Sequence, residues 1–123
     1  MMKNGGIDIY TRANAFSCLL LREIRSVNRD AMNQNMLAQA IRSGTSLGAN
    51  LAEADGAPTR KDFVNKLSIA IKEGKETLYW LSLLKDAKCL GVEQYNELSG
   101  ECEQLVKILV VIRRKSQESA PSI

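Results

Sequence analysis

Hydrophobic residues recur every three or four positions along most of the chain, which is the spacing that places side chains on one face of an α-helix. The pattern predicts helices over about 9–27, 34–55, 59–88 and 93–115. No stretch alternates apolar and polar residues over a useful strand length. Four helices joined by short connections predict an all-α fold, an antiparallel up-down-up-down four-helix bundle.

The residues at the predicted boundaries support this division of the chain. Gly56 is expected to end the second helix in a left-handed conformation. Thr59, followed three residues later by Asp62, is typical of a capped helix start. We expect one domain over 1–123, with a frayed tail over 116–123.

The second predicted helix contains many small residues. Gly44, Gly48 and Ala52 lie four residues apart and form a smooth strip that a neighbouring backbone can approach closely. Asn50 and Glu53 lie among them and are expected to be buried polar residues that fix the register of packing. We therefore predict a helix-packing seam, in which leucine at Gly48 would overpack the fold.

Three short runs are more hydrophobic than one buried face requires. They are 19–21, 78–81 and 108–112, and the last is apolar on all sides of its helix. Self-association that covers a second face explains these runs, so a homo-oligomer is predicted. The alternative is a monomer with a few exposed apolar side chains, which is common on protein surfaces.

The composition excludes several kinds of chemistry. The 123 residues include no histidine, which removes histidine-based metal sites, nucleophile pairs and general bases. Cys18, Cys89 and Cys102 are widely spaced, which favours free thiols in a reducing cytoplasm. Neither a signal peptide nor an apolar run long enough to span a membrane is expected. We find no catalytic constellation and expect a protein that is not an enzyme, with no cofactor and no metal.

Carboxylates in the second and third helices need a separate interpretation. Glu53, Glu73 and Glu76 are expected to form ion pairs, for instance Glu53 or Glu76 with Arg42, because carboxylate metal sites in bundles use additional histidines.

Basic residues concentrate near the ends of the first and fourth predicted helices, on a chain of net charge +3. The two strips are Arg22, Arg25 and Arg29, and Arg113, Arg114 and Lys115. Arginine in register suits phosphate oxygens, whereas bases at a helix end also complement the helix dipole. We expect electrostatic binding of RNA or DNA with little sequence specificity. The alternative is a scaffold or accessory subunit that binds another protein through apolar faces of the first and fourth helices.

Two blocks of sequence carry a family resemblance. They are 39–54 (QAIRSGTSLGANLAEA), and a later set made of 60–63 (RKDF), 66–70 (KLSIA) and 72–81 (KEGKETLYWL). Together they resemble the bacterial four-helix-bundle family named after the 23S rRNA intervening-sequence protein. The resemblance implies an up-down bundle, often a ring-shaped pentamer, encoded within insertions in large-subunit ribosomal RNA genes or by free-standing genes. A distant branch is the accessory protein of diversity-generating retroelements, which binds nucleic acid and the reverse transcriptase. The family has no catalytic residues to transfer.

Overall fold

The computed structural model describes residues 3–4 and 7–118, which form four long helices after a short strand pair. The strands are β1 (Lys3–Asn4) and β2 (Ile7–Asp8), which pair antiparallel. The helices are α1 (Ile9–Arg25), α2 (Gln34–Asp55), α3 (Arg60–Asp86) and α4 (Val92–Glu118). Each helix packs on its neighbour in sequence and α1 also packs on α4, which confirms the predicted four-helix bundle.

The observed bounds differ from the predicted ones at α1, α3 and α4; α3 is Arg60–Asp86, whereas 59–88 was predicted. The bounds of α2 are those predicted, whereas α1 ends at Arg25, two residues early. At the other end of the chain, α4 continues through Glu118, so 116–118 are helical rather than frayed. The rest of the predicted frayed tail, 119–123, lies outside the described residues.

The helix ends combine one predicted cap with one unexpected conformation. The Thr59 hydroxyl accepts a hydrogen bond from the Asp62 amide at 3.1 Å, as the capping pattern predicts. Gly56 does end α2, but its φ of −97° is not left-handed. The left-handed residue is Lys88 after α3, with φ of 65°, a conformation that is uncommon for a side-chain-bearing residue. The direction of the α3–α4 connection therefore depends on a lysine rather than on a glycine.

All four helices contribute apolar side chains to one continuous core. Its largest fully buried side chains are Phe16, Ile9, Leu20, Ile24, Leu37, Leu47, Leu51, Leu67, Leu81, Leu84, Leu98 and Leu105. Their three- and four-residue spacing explains why each helix turns one face inward and leaves charged residues outside. No helix among the described residues is long and apolar enough to cross a membrane.

Close packing against the small-residue seam occurs at one of its glycines. A Cβ atom at Gly44 would lie 2.2 Å from Leu20 Cδ2 of α1, so the seam does receive a neighbouring helix there. At Gly48 the nearest atom would be Ser17 Oγ at 3.5 Å, which is ordinary contact. Ala52 is exposed. The expectation that leucine at Gly48 overpacks the fold is therefore not supported, because Gly48 borders an open groove between α1 and α2.

The prediction that Asn50 and Glu53 are buried polar residues was wrong. Asn50 is half-buried and its side-chain amide donates to the Ser46 carbonyl of its own helix at 2.9 Å. Glu53 is exposed and forms an ion pair with Lys66 of α3 at 2.7 Å. Both side chains lie on the side of α2 that is turned away from α1, so neither needs a buried partner.

Ser43 and Thr77 make the buried polar contact between α2 and α3 instead. The Thr77 hydroxyl donates to the Ser43 hydroxyl at 2.9 Å, and Ser43 in turn donates to the Gln39 carbonyl at 2.9 Å. Every buried side-chain nitrogen or oxygen among the described residues has a hydrogen-bond partner. This pair therefore fixes the relative position of α2 and α3 without an unsatisfied polar atom.

The three apolar runs are only partly covered within one chain. Leu20 is fully buried while the adjacent Leu21 is 39% exposed, and Leu109 is fully buried while Val111 is 37% exposed. Tyr79, in the third run, is 59% exposed. Each run thus contributes one side to the core and leaves another in solvent. Self-association through α1 and α4 would cover Leu21 and Val111 and leave Tyr79 exposed.

Candidate nucleic-acid interface

The first predicted strip lies at the end of α1 and is not one helical stripe. Arg22 and Arg25 are exposed in the last turn of α1, whereas Arg29 lies beyond the helix in the connection to α2. Because α1 ends at Arg25, the helical register that was expected to align all three guanidinium groups stops before Arg29. The expectation of a continuous arginine stripe was therefore wrong.

Carboxylates surround the first strip. The side chain of Gln94, in the first turn of α4, donates to Glu23 of α1 at 2.8 Å, so the start of α4 lies against the end of α1. This end of the bundle carries the cations Arg22, Arg25, Arg29, Lys85 and Lys88 and the acids Glu23, Asp30, Asp86, Glu93 and Glu97. Equal numbers of opposite charges leave little net field for a phosphate backbone.

The second predicted strip divides between two sides of α4. Arg113 is half-buried and donates to the Ser68 hydroxyl of α3 at 3.2 Å. Arg114 is exposed and lies 4.0 Å from Glu118, one turn later in the same helix. Lys115 is two residues beyond Arg113, and a rotation of 100° per residue points it away from α3. Arg113 thus lies against α3, Arg114 lies on the exposed side next to it, and Lys115 points away.

The two strips lie at opposite ends of the bundle. In an up-down-up-down arrangement the end of α1 meets the start of α4, and the end of α4 meets the start of α3. The Gln94–Glu23 and Arg113–Ser68 hydrogen bonds show both junctions. One nucleic-acid segment therefore cannot contact both strips on a single short surface.

Sequence reasoning missed the lysines of α3, which extend the second strip into a larger surface. Lys61 lies seven residues before Ser68, and Lys72 and Lys75 lie four and seven residues after it. At these helical spacings the three lysines share the side of α3 that carries Ser68. On α4, Lys107 precedes Arg114 by seven residues, on the same exposed side. We call this surface the α3/α4 basic face; it comprises Lys61, Lys72, Lys75, Lys107, Arg113 and Arg114. The seven-residue spacings were visible in the sequence, but the antiparallel pairing that joins them was not.

Few carboxylates oppose the α3/α4 basic face. Glu103 and Glu118 are exposed on the same part of α4. Within the described residues, Lys61, Lys75 and Lys107 form no ion pair, and their charges face solvent. The face thus carries six cations against the carboxylates of Glu103 and Glu118, with Glu76 of α3 at its edge beside Lys72, so cations are in excess.

A polar network joins the two sequence blocks across α2 and α3. Arg42 donates to the Gln39 side chain at 2.9 Å and to Glu73 at 2.9 Å, and it also pairs with Glu76. The indole nitrogen of Trp80 donates to the same Glu76 carboxylate at 2.9 Å. The expected pairing of Glu76 with Arg42 is thus present, whereas Glu53 pairs with Lys66.

This network shifts the ionisation of its members. The hydrogen bonds from Trp80 and Arg42 lower the pKa of Glu76, and the bond with Glu76 is the main cause of a raised pKa for Arg42. The carboxylate of Glu76 is therefore ionised and fully engaged at neutral pH. Arg42 pairs with both Glu73 and Glu76, so the network carries one net negative charge, and Glu76 also lies close enough to Lys72 for their charges to interact.

Replacing Arg42 with methionine is expected to raise the pKa of Glu76, because one of its two stabilising hydrogen bonds is lost. A carboxylate whose folded-state pKa is depressed adds stability above its unfolded pKa and loses that stability as the pH falls through the folded value. Trp80 is the single tryptophan of the chain and reports on Glu76. An acid titration of its fluorescence should therefore show a midpoint at higher pH in Arg42→Met than in the unchanged protein.

Lys66→Met is the matched control for this titration, because it removes a cation that pairs with Glu53 rather than with Glu76. Its tryptophan titration should follow that of the unchanged protein. An identical midpoint in Arg42→Met would contradict the role given to Arg42.

The described residues offer no arrangement that resembles a catalytic or metal site. No cluster of three or more acidic or cysteine side chains that could hold a metal ion occurs among them. Cys102 is fully buried, and burial raises the pKa of its thiol to about 12, which keeps it protonated and unreactive at neutral pH. Glu53, Glu73 and Glu76 are engaged in ion pairs. The described chain is a four-helix bundle with charged side chains on its outer faces.

The comparisons with known proteins agree with this description. Residues 6–111 match the sequence model of the 23S rRNA-intervening sequence protein family. A crystal structure of a protein with unknown function from the S23 ribosomal protein family of Bacteroides thetaiotaomicron is similar, with 34% sequence identity and a TM-score of 0.77. The alignment covers 87% of this chain and 99% of that one. The search of curated proteins gave no match. Because the family model spans most of the chain and the solved structure shares its fold, the chain belongs to the 23S rRNA-intervening sequence protein family.

Proposed function

We propose that this protein is a non-enzymatic, homo-oligomeric four-helix bundle that binds RNA or DNA electrostatically through its α3/α4 basic face. The excess of cations over carboxylates on this face is the observation that carries the proposal. Lysine and arginine side chains that form no ion pair within a protein are available to replace the counterions of a phosphate backbone. Of the two strips that the sequence predicts, the one containing Arg113 and Arg114 is favoured.

The geometry of the face supports backbone binding without sequence reading. Its charges lie along two antiparallel helices, joined by the contacts of Arg113 with Ser68 and of Gly74 with Cys102. Two packed helices form a broad surface, which suits contacts with a phosphate backbone rather than with the base edges in a groove. Binding of this kind should depend strongly on salt and weakly on sequence.

Assembly would strengthen such a surface. Leu21 and Val111 are 39% and 37% exposed, and Ile69 is 40% exposed. Burying apolar side chains of this kind between copies is favourable. A closed ring would repeat the α3/α4 basic face around its axis, so that several moderate patches act on one nucleic-acid chain.

Reversing three charges on the α3/α4 basic face is expected to weaken nucleic-acid binding by more than about tenfold, since each phosphate contact contributes to counterion release. The variant is Lys72→Glu, Lys75→Glu and Lys107→Glu. The measurement is fluorescence anisotropy with a labelled RNA over a range of salt concentrations. The slope of log K against log salt should fall by roughly 2 to 3 units.

The matched control reverses Arg22, Arg25 and Arg29, which changes the net charge by the same amount at the opposite end of the bundle. This control should change the affinity by less than about threefold, because charges farther from the face than a Debye length of about 8–10 Å are largely screened. Equal losses in both variants would show that the overall charge matters and not the face. Absence of any salt-sensitive binding by the unchanged protein would overturn the proposal.

The exposed apolar residues support one alternative, a scaffold that binds another protein. In that case Leu21 and Val111, on α1 and α4, would contact the partner. The molecular mass in solution, measured with and without added RNA, separates the two proposals. A homo-oligomer whose mass increases with RNA favours nucleic-acid binding. A monomer whose mass does not change with RNA and that forms a stoichiometric complex with another protein favours the scaffold.

A further inference from the structure

Tyr79 differs from the other tyrosines of this chain in how far its ring is exposed. Lys85 lies 4.4 Å from the ring centre of Tyr95 and covers it. Tyr10 is half-buried beside Asp55, and burial together with that carboxylate raises the pKa of its hydroxyl. Tyr79 is 59% exposed, and its ring contact among the described residues is with Trp80. An exposed aromatic ring in the middle of a helix loses hydrophobic stabilisation unless a ligand covers it.

The ring of Tyr79 is held by a chain of contacts beneath it. Its centre lies 5.0 Å from that of Trp80 with an interplanar angle of 72°, an edge-to-face arrangement. Trp80 is half-buried and is fixed by its hydrogen bond to Glu76, which Arg42 holds in turn. A supported side chain loses little conformational entropy when a flat ligand stacks on it.

Tyr79 also belongs to the α3/α4 basic face. It lies four residues after Lys75 and seven after Lys72, so the three side chains project from one side of α3. The nearby carboxylate of Glu76 is engaged by Arg42 and by the indole nitrogen of Trp80. An aromatic ring beside two lysines combines a stacking surface for a base with cations for the adjoining phosphates.

We propose that Tyr79 stacks on an unpaired base, so that the α3/α4 basic face prefers single-stranded over double-stranded nucleic acid. This inference rests on the proposed nucleic-acid binding of the same face. In a duplex the bases stack on one another and are shielded by two backbones, so a ring on a broad helical surface cannot reach them. A single strand presents the π-face of each base, and stacking on it needs no particular sequence.

The test compares Tyr79→Ala, Tyr79→Phe and the unchanged protein by fluorescence anisotropy. The probes are a labelled single-stranded RNA of about 12 nucleotides and the same strand annealed to its complement. Loss of one stacked base by alanine substitution should weaken single-strand binding by between about 5-fold and about 100-fold. Phenylalanine keeps the ring and should keep most of the affinity. Duplex binding and the salt dependence should be unchanged in both variants, because no charge is removed.

A second readout uses the fluorescence of Trp80, which contacts Tyr79. It should change when the unchanged protein binds the single strand and should change less in Tyr79→Ala. Equal single-strand affinities of Tyr79→Ala and the unchanged protein would overturn the inference. If the charge reversal at Lys72, Lys75 and Lys107 still weakens binding in that case, the proposed function stands. If no RNA binds the unchanged protein, both proposals fail.

Discussion

Replacing Gly74 with leucine is expected to destabilise the protein by about 3 kcal/mol, because this glycine lies where three helices meet. A Cβ atom at this position would lie 2.5 Å from Val106 Cγ2 of α4 and 3.0 Å from Leu47 Cδ1 of α2. Val106 is β-branched and has one favoured rotamer in a helix, so it cannot move aside cheaply. Chemical denaturation at fixed protein concentration, followed by circular dichroism, measures the change.

Gly100→Leu is the matched control for Gly74→Leu. Gly100 is also inside a helix, but apart from its chain neighbours and the backbone of its own helix, no heavy atom lies within 4 Å of the position of its Cβ. Leucine there should be neutral or stabilise the protein by up to about 1 kcal/mol, because glycine is a poor helix former. If the two variants were equally stable, close packing at Gly74 would not contribute to the fold as the structure indicates.

Replacing Leu20 with alanine is expected to cost about 3 kcal/mol, within the range of about 2–5 kcal/mol for large-to-small substitutions in a core. Leu20 is fully buried, and its side chain contacts the α2 backbone at Gly44. Alanine would lose the buried methyl groups and leave a cavity at the tightest point of the α1–α2 interface. Thermal unfolding should show a fall in Tm of roughly 10 °C.

Leu21→Ala, one residue further on, is the control for Leu20→Ala. Leu21 is 39% exposed, so truncation should change the stability of a single chain by less than about 1 kcal/mol. If Leu21 lies in an interface between copies, its substitution should instead lower the molecular mass in solution at low protein concentration. Equal losses of stability in the two variants, without a change in mass, would contradict the assignment of Leu20 to the core and Leu21 to the surface.

The sequence predicted the helices well because their signals are local. The capping pair of Thr59 and Asp62 and the bounds of α2 both follow from spacing along the chain. The end of α1 was less predictable. Apolar spacing continues to Val27, but Ser26 already bonds back to Glu23 and ends the helix.

The candidate site was predicted only in part, because it depends on which helices lie side by side. Arg113 and Arg114 were named from their cluster in the sequence, and they do lie on the α3/α4 basic face. Lys72 and Lys75 were not named as candidates, since nothing in their own helix distinguishes them from the lysines of an ordinary solvent-exposed face. They become part of a larger basic surface only because α4 packs beside α3.

The sequence by itself determined the family and the number of helices. It also determined which face of each helix is apolar, because the helical backbone fixes a rotation of 100° per residue. The tertiary structure decided how far each helix is turned about its axis and which neighbour it meets. That choice exposed Glu53, left Asn50 half-buried, and made Gly74 and Gly44 the close contacts rather than Gly48. How the helices are turned and paired depends on packing the largest side chains without voids, and this packing involves all four helices at once.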